Sequence, residues 1–246
     1  MKKIFFIIAL ILSIFTFSFG QIEKKMKDEN VVAGSIIKDG KEIVGYIKRM
    51  DYEYFGGKKY PSPWSFQSEI KFIPKDIFEN TKKIKNKLYK KYTPKDCDGY
   101  KYDTLIYESV KYADLTAVGT NMIPKKIFMR KVVDNKISIF HYFKTPPSVM
   151  VSQGDNNSID KTLTDCATIQ YVYRIGKDGK LKLVEDLNIE KELADCPMVV
   201  QKQQKGEYKV IGKEGSSSGL NKFINNIAYR VDVRLMAIAD YNQNCK

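Results

Sequence analysis

Apolar and polar residues alternate along much of the first three quarters of the chain, which is the period of a strand with one face on a core. The clearest case is residues 31–50, where two apolar-rich runs flank Asp39-Gly40, a dipeptide typical of two-residue hairpin turns. Two more hairpins are predicted, with turns at Asp134-Asn135-Lys136 and at Lys177-Asp178-Gly179. Residues 98–112 alternate throughout and predict one long strand. The pattern therefore favours an antiparallel sheet.

Three segments interrupt the alternation. Residues 53–66 contain two glycines and two prolines, so we predict an irregular stretch there. Pro74 predicts the end of a strand, or an edge strand, because proline cannot donate to a ladder. Residues 144–165 are mostly polar and predict a loop.

The period changes to that of helices after residue 186. Residues 189–197 predict a short helix that ends at Pro197, and residues 198–204 predict a second one. A long final helix is predicted by apolar residues spaced by three and four: Leu220, Phe223, Ile224, Ile227, Val231, Leu235 and Ile238. It lacks the cationic stripe of a membrane-surface helix, so we expect it to pack on the sheet of its own domain. The predicted fold class is mainly β (α+β), with an antiparallel sheet or open β-barrel body over 30–186 and C-terminal helices, 187–246, packed on it.

The N-terminus predicts a signal peptide over residues 1–20. Two lysines precede an apolar run that is too short for a membrane span, and Ser18 and Gly20 occupy the −3 and −1 positions of a cleavage site before Gln21. No cysteine occurs before Cys97, so no lipid-modified cysteine is expected near that site. We therefore predict an exported protein, periplasmic or extracellular, with a short tail over 21–29 and no integral membrane segment after cleavage.

The exported chain is strongly basic. The full sequence has 42 basic and 29 acidic residues, and removal of Lys2 and Lys3 leaves 40 against 29, or about +11. Such a surface attracts nucleic acid, acidic glycans, lipopolysaccharide or a membrane face. However, 37 of the basic residues are lysines and only 5 are arginines, which disfavours planar phosphate recognition and is equally consistent with lysines that promote solubility. We predict no specific nucleic-acid partner.

Two segments are candidate binding surfaces. Residues 82–92 carry closely spaced lysines with interleaved aromatic residues, a pattern that suits an anionic polymer but equally a lysine-protected edge strand; the candidates are Lys82, Lys83, Lys85, Lys87 and Lys90. Residues 53–66 collect aromatic side chains between rigid prolines, and the candidates there are Tyr54, Phe55, Tyr60 and Trp64. Those rings could contact a sugar or a protein partner, or the segment could fold back onto the end of the body.

Motifs for metal binding and catalysis fail on inspection. Residues 96–103, DCDGYKYD, resemble part of a calcium loop, but with Gly99 at position 6 the first and twelfth positions are Pro94 and Leu105, which supply no side-chain ligand. We therefore predict a turn. His141 is the only histidine, it lies on a predicted strand, and no nucleophile elbow accompanies it. We predict no metal, no cofactor and no catalytic residue, although a pair of carboxylates among the 29 acidic residues stays open.

Four cysteines in an exported chain predict disulfides. Their spacing matches no zinc pattern, and of the three possible pairings we favour Cys196–Cys245 with Cys97–Cys166, because each pair lies within one half of the chain.

With these residues in view, the chain resembles a group of uncharacterised secreted proteins from Bacteroidetes bacteria. The landmarks are the FGQ end of the signal peptide, the glycine–isoleucine pattern from Gly34 to Ile47, Tyr107-Glu108-Ser109, the FMRKVVDNKISIF hairpin, Ala194-Asp195-Cys196-Pro197 and Tyr241-Asn242-x-x-Cys245. The resemblance covers nearly the whole exported chain. It implies a β-rich body with C-terminal helices and no established activity, and it supports the Cys196–Cys245 pairing.

Three functions remain open at this point. The leading one is a non-enzymatic envelope or secreted protein that binds an anionic or carbohydrate partner, or a protein partner. The second is a hydrolase of envelope or external polymers, with His141 or a carboxylate pair as acid and base. The third is a structural subunit of an envelope machine. The sequence specifies neither the ligand nor the oligomeric state.

Overall fold

The computed structural model of the chain describes residues 20–55, 57–113, 123–147, 156–208 and 220–245, and within the helices the side chains of 156–157 and 220–227 are not described. The described chain is mainly β with six helices. No helix in these ranges is long and apolar enough to cross a membrane.

The elements are short, with one exception. The strands are β1 (Val31–Lys38), β2 (Lys41–Lys48), β3 (Tyr52–Phe55), β4 (Lys58–Pro61), β5 (Ile70–Pro74), β6 (Lys90–Tyr92), β7 (Gly99–Tyr102), β8 (Leu105–Tyr112), β9 (Lys125–Val133), β10 (Ile137–Tyr142), β11 (Gln170–Ile175) and β12 (Lys182–Leu183). The helices are α1 (20–28), α2 (Lys75–Asn80), α3 (Asn156–Ala167), α4 (Ile189–Glu192), α5 (Pro197–Gln204) and the long α6 (Leu220–Asn244). Single turns of 3₁₀-helix occur at Pro63–Gln67, Asn86–Leu88 and Val184–Asp186.

Ten strands form an antiparallel sheet in the order β12-β11-β10-β9-β8-β7-β1-β2-β5-β6, and β3 and β4 form a separate two-stranded sheet. The predicted antiparallel sheet is therefore confirmed, and the sheet does not close into a barrel. The chain divides into two compact units, one of Met1–Phe128 with Pro147–Ile159 and the other of Met129–Pro146 with Asp160–Lys246. The division does not coincide with the boundary at residue 186 that the change of period indicates.

The first unit is built on the β1–β2 hairpin, whose turn residues Asp39 and Gly40 both have positive φ, as a two-residue turn requires. Its sheet buries side chains on both faces, because neighbouring residues of a strand point in opposite directions. One face carries an aromatic-rich cluster that includes Ile36, Ile47, Phe66, Phe72, Tyr100, Tyr107 and Phe128. The opposite face carries Val31, Tyr46, Ile73, Phe78, Ile84 and Tyr89.

In the second unit, α6 packs on the strands. Val233, Ala237 and Ile238 are buried in one cluster with Ile139 and Tyr173 of β10 and β11. The side-chain amide of Asn242 on α6 also binds the backbone of Ile137, with both hydrogen bonds at 2.9 Å. The last helix is thus part of its own domain, as its modest apolar face indicates.

Four local predictions were wrong. The predicted long strand over 98–112 is two strands, β7 and β8, because Asp103 takes a positive φ and starts a turn. The predicted tail over 21–29 is largely helix α1, and the predicted loop over 144–165 includes most of α3. The predicted irregular stretch over 53–66 contains the β3–β4 hairpin followed by a 3₁₀ turn.

Candidate functional site: the outward face of the β3–β4 hairpin

The β3–β4 hairpin is attached to the first unit through its base. Ser62 donates hydrogen bonds to the carbonyl oxygens of Asp51, at 2.9 Å from its backbone nitrogen, and Met50, at 3.0 Å from its hydroxyl. The hydroxyl of Tyr102, on β7, donates to the Asp51 carboxylate. An isolated two-stranded hairpin is marginally stable in water, so these contacts fix a surface that could not hold its conformation alone.

The register of the hairpin gives it two different faces. Tyr52 pairs with Pro61 and Tyr54 pairs with Lys59, so these four side chains share one face. Glu53 and Phe55 lie on the other face with Tyr60 and Lys58.

The second face turns inward and the first faces solvent. Glu53, Phe55 and Tyr60 are half-buried; the Ser65 hydroxyl donates to the Glu53 carboxylate at 2.5 Å, and the Phe55 and Tyr60 rings lie 5.9 Å apart. In contrast, Tyr54 is 71% exposed and Tyr52 is 48% exposed. We call Tyr52, Tyr54, Lys59 and Pro61 the hairpin platform.

The hairpin platform combines flat rings with a positive charge. The ammonium group of Lys59 lies 3.6 Å from the centroid of the Tyr52 ring, a cation–π contact that positions the charge beside the rings. Tyrosine side chains offer rigid, amphipathic contact area at low conformational-entropy cost, so such a surface suits a partner that has both flat apolar faces and hydroxyl or anionic groups.

The structure corrects the place of Trp64 among the candidate contacts. Trp64 and its neighbour Phe66 are 5% and 6% exposed, and the Tyr100 hydroxyl donates to the Phe66 carbonyl oxygen at 2.6 Å. This part of the segment is the 3₁₀ turn Pro63–Gln67, which folds back onto the core and covers the aromatic cluster. Of the predicted aromatic contacts, Tyr54 is largely exposed to solvent, whereas Phe55 and Tyr60 are half-buried on the inward face.

The lysine segment is a separate surface. Lys82, Lys83, Lys85, Lys87 and Lys90 are all exposed. The aromatic residues among them point inward, since Tyr89 and Tyr92 are each 9% exposed. Tyr89 and Ile84 pack on one face of the sheet, and the 3₁₀ turn at Trp64 covers the opposite face. The segment therefore offers charge without exposed rings. Its end, β6, is the last strand of the ten-stranded sheet, as the edge-protection interpretation requires.

His141 has the environment of a structural histidine. Burial, with a smaller contribution from the nearby Arg130 cation, lowers its pKa from 6.5 to about 4, so the ring is neutral at physiological pH. Its ring meets that of Tyr171 edge-on at 5.0 Å, and its buried Nδ1 has no hydrogen-bond partner among the described residues. A base near neutrality needs a pKa close to 7, which this position does not give.

The aspartates of DCDGYKYD hold turns. The Asp96 carboxylate accepts hydrogen bonds from the backbone and hydroxyl of Thr93 at 2.8 and 2.6 Å, and the Asp98 carboxylate accepts one from the backbone of Gly40 at 3.1 Å. Across the described ranges, no group of three or more His, Cys, Asp or Glu residues is placed to hold a metal ion.

The cysteines pair once. Cys196 and Cys245 form a disulfide, as predicted, with Cα atoms 5.8 Å apart. Cys97 and Cys166 are buried free thiols, so the predicted second bridge is not formed. Cys97 is part of the aromatic cluster of the first unit, where burial raises the pKa of its thiol to about 11.

The sequence contained a signal for the platform residues that we missed. Gly56-Gly57 separates two four-residue runs, and Tyr52 and Tyr54 are two residues apart in the first run, so they point to the same face of a strand. A Gly-Gly pair between such runs indicates a two-residue hairpin turn.

No protein-family model, no curated protein and no solved structure matches this chain.

Proposed function

We propose that this is a non-enzymatic exported protein that binds an anionic carbohydrate polymer of the cell envelope or its surroundings through the hairpin platform. The observation that carries the proposal is the exposure of Tyr52 and Tyr54 on one face of an anchored hairpin, with the Lys59 ammonium against the Tyr52 ring. Exposed rings on a rigid base have no role in the core, and rigidity lowers the entropic cost of binding.

The remaining charge acts at longer range. The lysine segment and the general excess of lysine attract any polyanion, while the platform supplies the contacts that can discriminate between partners. The proposal of export is supported by the N-terminal sequence pattern and the resemblance to secreted proteins, and a disulfide is consistent with an oxidising compartment. The hydrolase alternative is less well supported at His141, because burial lowers the pKa of this ring to about 4 and a general base near neutrality needs a pKa close to 7.

The experiment is a binding titration of the protein from Gln21 onward against an acidic polysaccharide, lipopolysaccharide and single-stranded DNA over a salt series. Tyr54→Ala is expected to weaken binding of one of the two carbohydrates about tenfold at physiological salt, since loss of a central aromatic contact typically costs more than about 1 kcal/mol. The hairpin platform would be refuted as a binding site if the parent and Tyr54→Ala bound all three polyanions equally and with a steep salt dependence.

Matched variants separate local from general effects. Lys59→Gln should weaken carbohydrate binding more than Lys85→Gln, although both remove one exposed charge. Ile123→Ala, at an apolar side chain that is 65% exposed outside the hairpin, should leave binding unchanged. Trp64→Ala is unsuitable as a binding variant because it removes a buried ring, with an expected loss of about 3–5 kcal/mol of stability.

A further inference from the structure

Within the part of the chain that the structure describes, one segment of the first unit has an open strand edge in the interior of the sheet order. Strand β2 pairs with β1 along its whole length, but β5 pairs only with residues 45–47 of β2. The chain leaves the sheet at Pro74, which lies opposite Gly45, and enters α2. No β5 residue therefore lies opposite residues 41–44 of β2, which we call the vacant row.

Every second residue of the vacant row directs its backbone N–H and C=O groups away from β1. The carbonyl oxygens of Ala33 and Ile37 accept hydrogen bonds from Asp103 and Asp98, so odd-numbered residues of β1 face β7. Even-numbered residues of β1 therefore face β2, where they pair with odd-numbered residues, as Ile36 does with Ile43. The backbones of Glu42 and Val44 consequently face away from β1, toward the vacant row.

Two of the four side chains of this segment are apolar and exposed. Val44 is 57% exposed and Ile43 is 40% exposed, on opposite faces of the sheet. On the Val44 face, the cross-strand row continues through Ser35 and Lys101 to Ile106, which is 42% exposed. The two terminal strands of the sheet are different: β6 is three residues long and β12 is two, and each carries an exposed lysine. Shortness and lysine protect an edge from pairing, and the vacant row lacks that protection at its centre.

The ends of the vacant row are basic. Lys41 lies at the end beside the turn and Lys75 directly follows Pro74 at the other end. Both are exposed, and the Lys75 ammonium also lies 4.0 Å from the Glu79 carboxylate. The acid within the segment, Glu42, is already engaged, since it accepts a hydrogen bond from Ser35 at 2.6 Å and pairs with Lys101 at 2.9 Å.

A second copy of the chain fits the vacant row poorly. If its Lys41 lay opposite Val44 in antiparallel register, its Gly40 would fall opposite Gly45, where Pro74 already lies. It would also bring its own lysines to the two basic ends. A free extended peptide has neither restriction.

We propose that residues 41–44 of β2 bind an extended peptide segment of another protein by strand addition, with apolar residues at the centre of that segment and acidic residues at its ends. Main-chain hydrogen bonds to Glu42 and Val44 supply affinity, contacts with Ile43 and Val44 set the register, and the two lysines select acidic flanks. This surface is independent of the hairpin platform.

The test is fluorescence polarisation of the labelled peptide Asp-Glu-Thr-Val-Ile-Thr-Glu-Asp with the protein from Gln21 onward. Saturable binding with a dissociation constant of about 10–100 µM is expected. Val44→Pro removes an outward N–H, and Val44→Lys gives the row the protection that β6 has; each should weaken binding at least about tenfold. The matched control Val132→Lys, at an exposed valine of β9, should bind like the parent.

Three modified peptides test the mechanism. Two carry N-methyl groups on alternate amides: the one whose methyl groups face the vacant row should not bind, and the one whose methyl groups face away should still bind, because only alternate backbone groups of a strand face its neighbour. The third, with lysine in place of every acid, should bind at least about tenfold more weakly. The proposal is overturned by absence of saturable binding, by unchanged affinity in both Val44 variants while circular dichroism shows them folded, by equal binding of the two methylated peptides, by equal binding of the lysine peptide and the unmodified peptide, or by a dimer in sedimentation that Val44→Lys abolishes.

Discussion

At the scale of single residues, the first unit separates rings that build the core from rings that face solvent. Tyr100 is fully buried and Trp64 nearly so, whereas Tyr54, on the β3–β4 hairpin, is mostly exposed. Composition cannot make this distinction, because tyrosine is suited to both environments. The register of β3 against β4 makes it, since a shift of one residue would exchange the two faces of the hairpin.

The neutral His141 predicts a specific pH dependence of stability. Its pKa is about 4 in the folded protein and about 6.5 when unfolded, so the unfolded state binds the proton more tightly between these values. Its contribution is present above pH 6.5 and is lost as the pH falls through about 4. We expect the free energy of unfolding of the parent to fall about 1–2 kcal/mol more than that of His141→Gln between pH 7 and pH 4.5, which is less than the full pKa shift implies because the ring is partly exposed and solvent screens its charge.

Chemical denaturation of both proteins at a series of pH values measures this difference. The comparison cancels the titration of the carboxyl groups, which both proteins share. Parallel stability curves for the parent and the variant would show that the ring has an ordinary pKa.

At the scale of elements, α1 is a structural part of the first unit. The ammonium group of Lys25 donates hydrogen bonds to the carbonyl oxygens of Phe78 and Thr81, the latter at 2.7 Å, and lies 4.9 Å from the Phe78 ring centroid. These carbonyls are at the C-terminal end of α2, where unpaired acceptors and the helix dipole favour a cation. Ile22 and Met26 of α1 pack against the core beside them.

Replacement of Lys25 should therefore destabilise the first unit. Lys25→Ala removes charged hydrogen bonds to backbone acceptors and is expected to cost about 1–2 kcal/mol in urea denaturation. Lys24→Ala, at an exposed neighbour on the same helix, is the control and should stay within about 0.5 kcal/mol of the parent. Equal stabilities for the two variants would contradict the capping role.

The elements also show how far the sequence could predict this fold and site. The β1–β2 hairpin was predictable because its two-residue turn requires a positive φ at both positions. Asp39-Gly40 accepts these angles, and few other dipeptides do. The turn between β7 and β8 was missed because Asp103 adopts its positive φ without a glycine to indicate it. The hairpin platform was predicted only through Tyr54, since which ring faces solvent depends on pairing that local composition does not specify.

At the scale of the whole molecule, the cysteines show the limit of reasoning from distance along the chain. Cys196 and Cys245 are separated by 49 residues and still pair, because α6 returns to the start of α5 in one core. Closing a loop of this length stabilises the folded state by about 2–4 kcal/mol in chain-entropy terms. Cys97 and Cys166 are each buried as free thiols, and for both burial raises the pKa.

We expect a thiol titration to count two reactive groups in the denatured, unreduced chain and four after reduction. In the folded protein both free thiols should react slowly, because they are buried and their raised pKa values leave little thiolate. Absence of reactive thiols in the unreduced, denatured chain would mean that Cys97 and Cys166 are oxidised. Cys97→Ser and Cys166→Ser would each lower the count by one.

The separation of the β3–β4 hairpin from the ten-stranded sheet has an evolutionary consequence. Substitutions at Tyr52, Tyr54 and Lys59 alter a recognition surface at little cost to folding, whereas changes at Asp51, Ser62 or Tyr102 alter its support. Relatives of this chain should therefore diversify at the outward positions while the supporting positions stay constant. One scaffold could acquire new partners by drift at a few codons, and the same freedom would allow a chosen recognition sequence to be installed there in the laboratory.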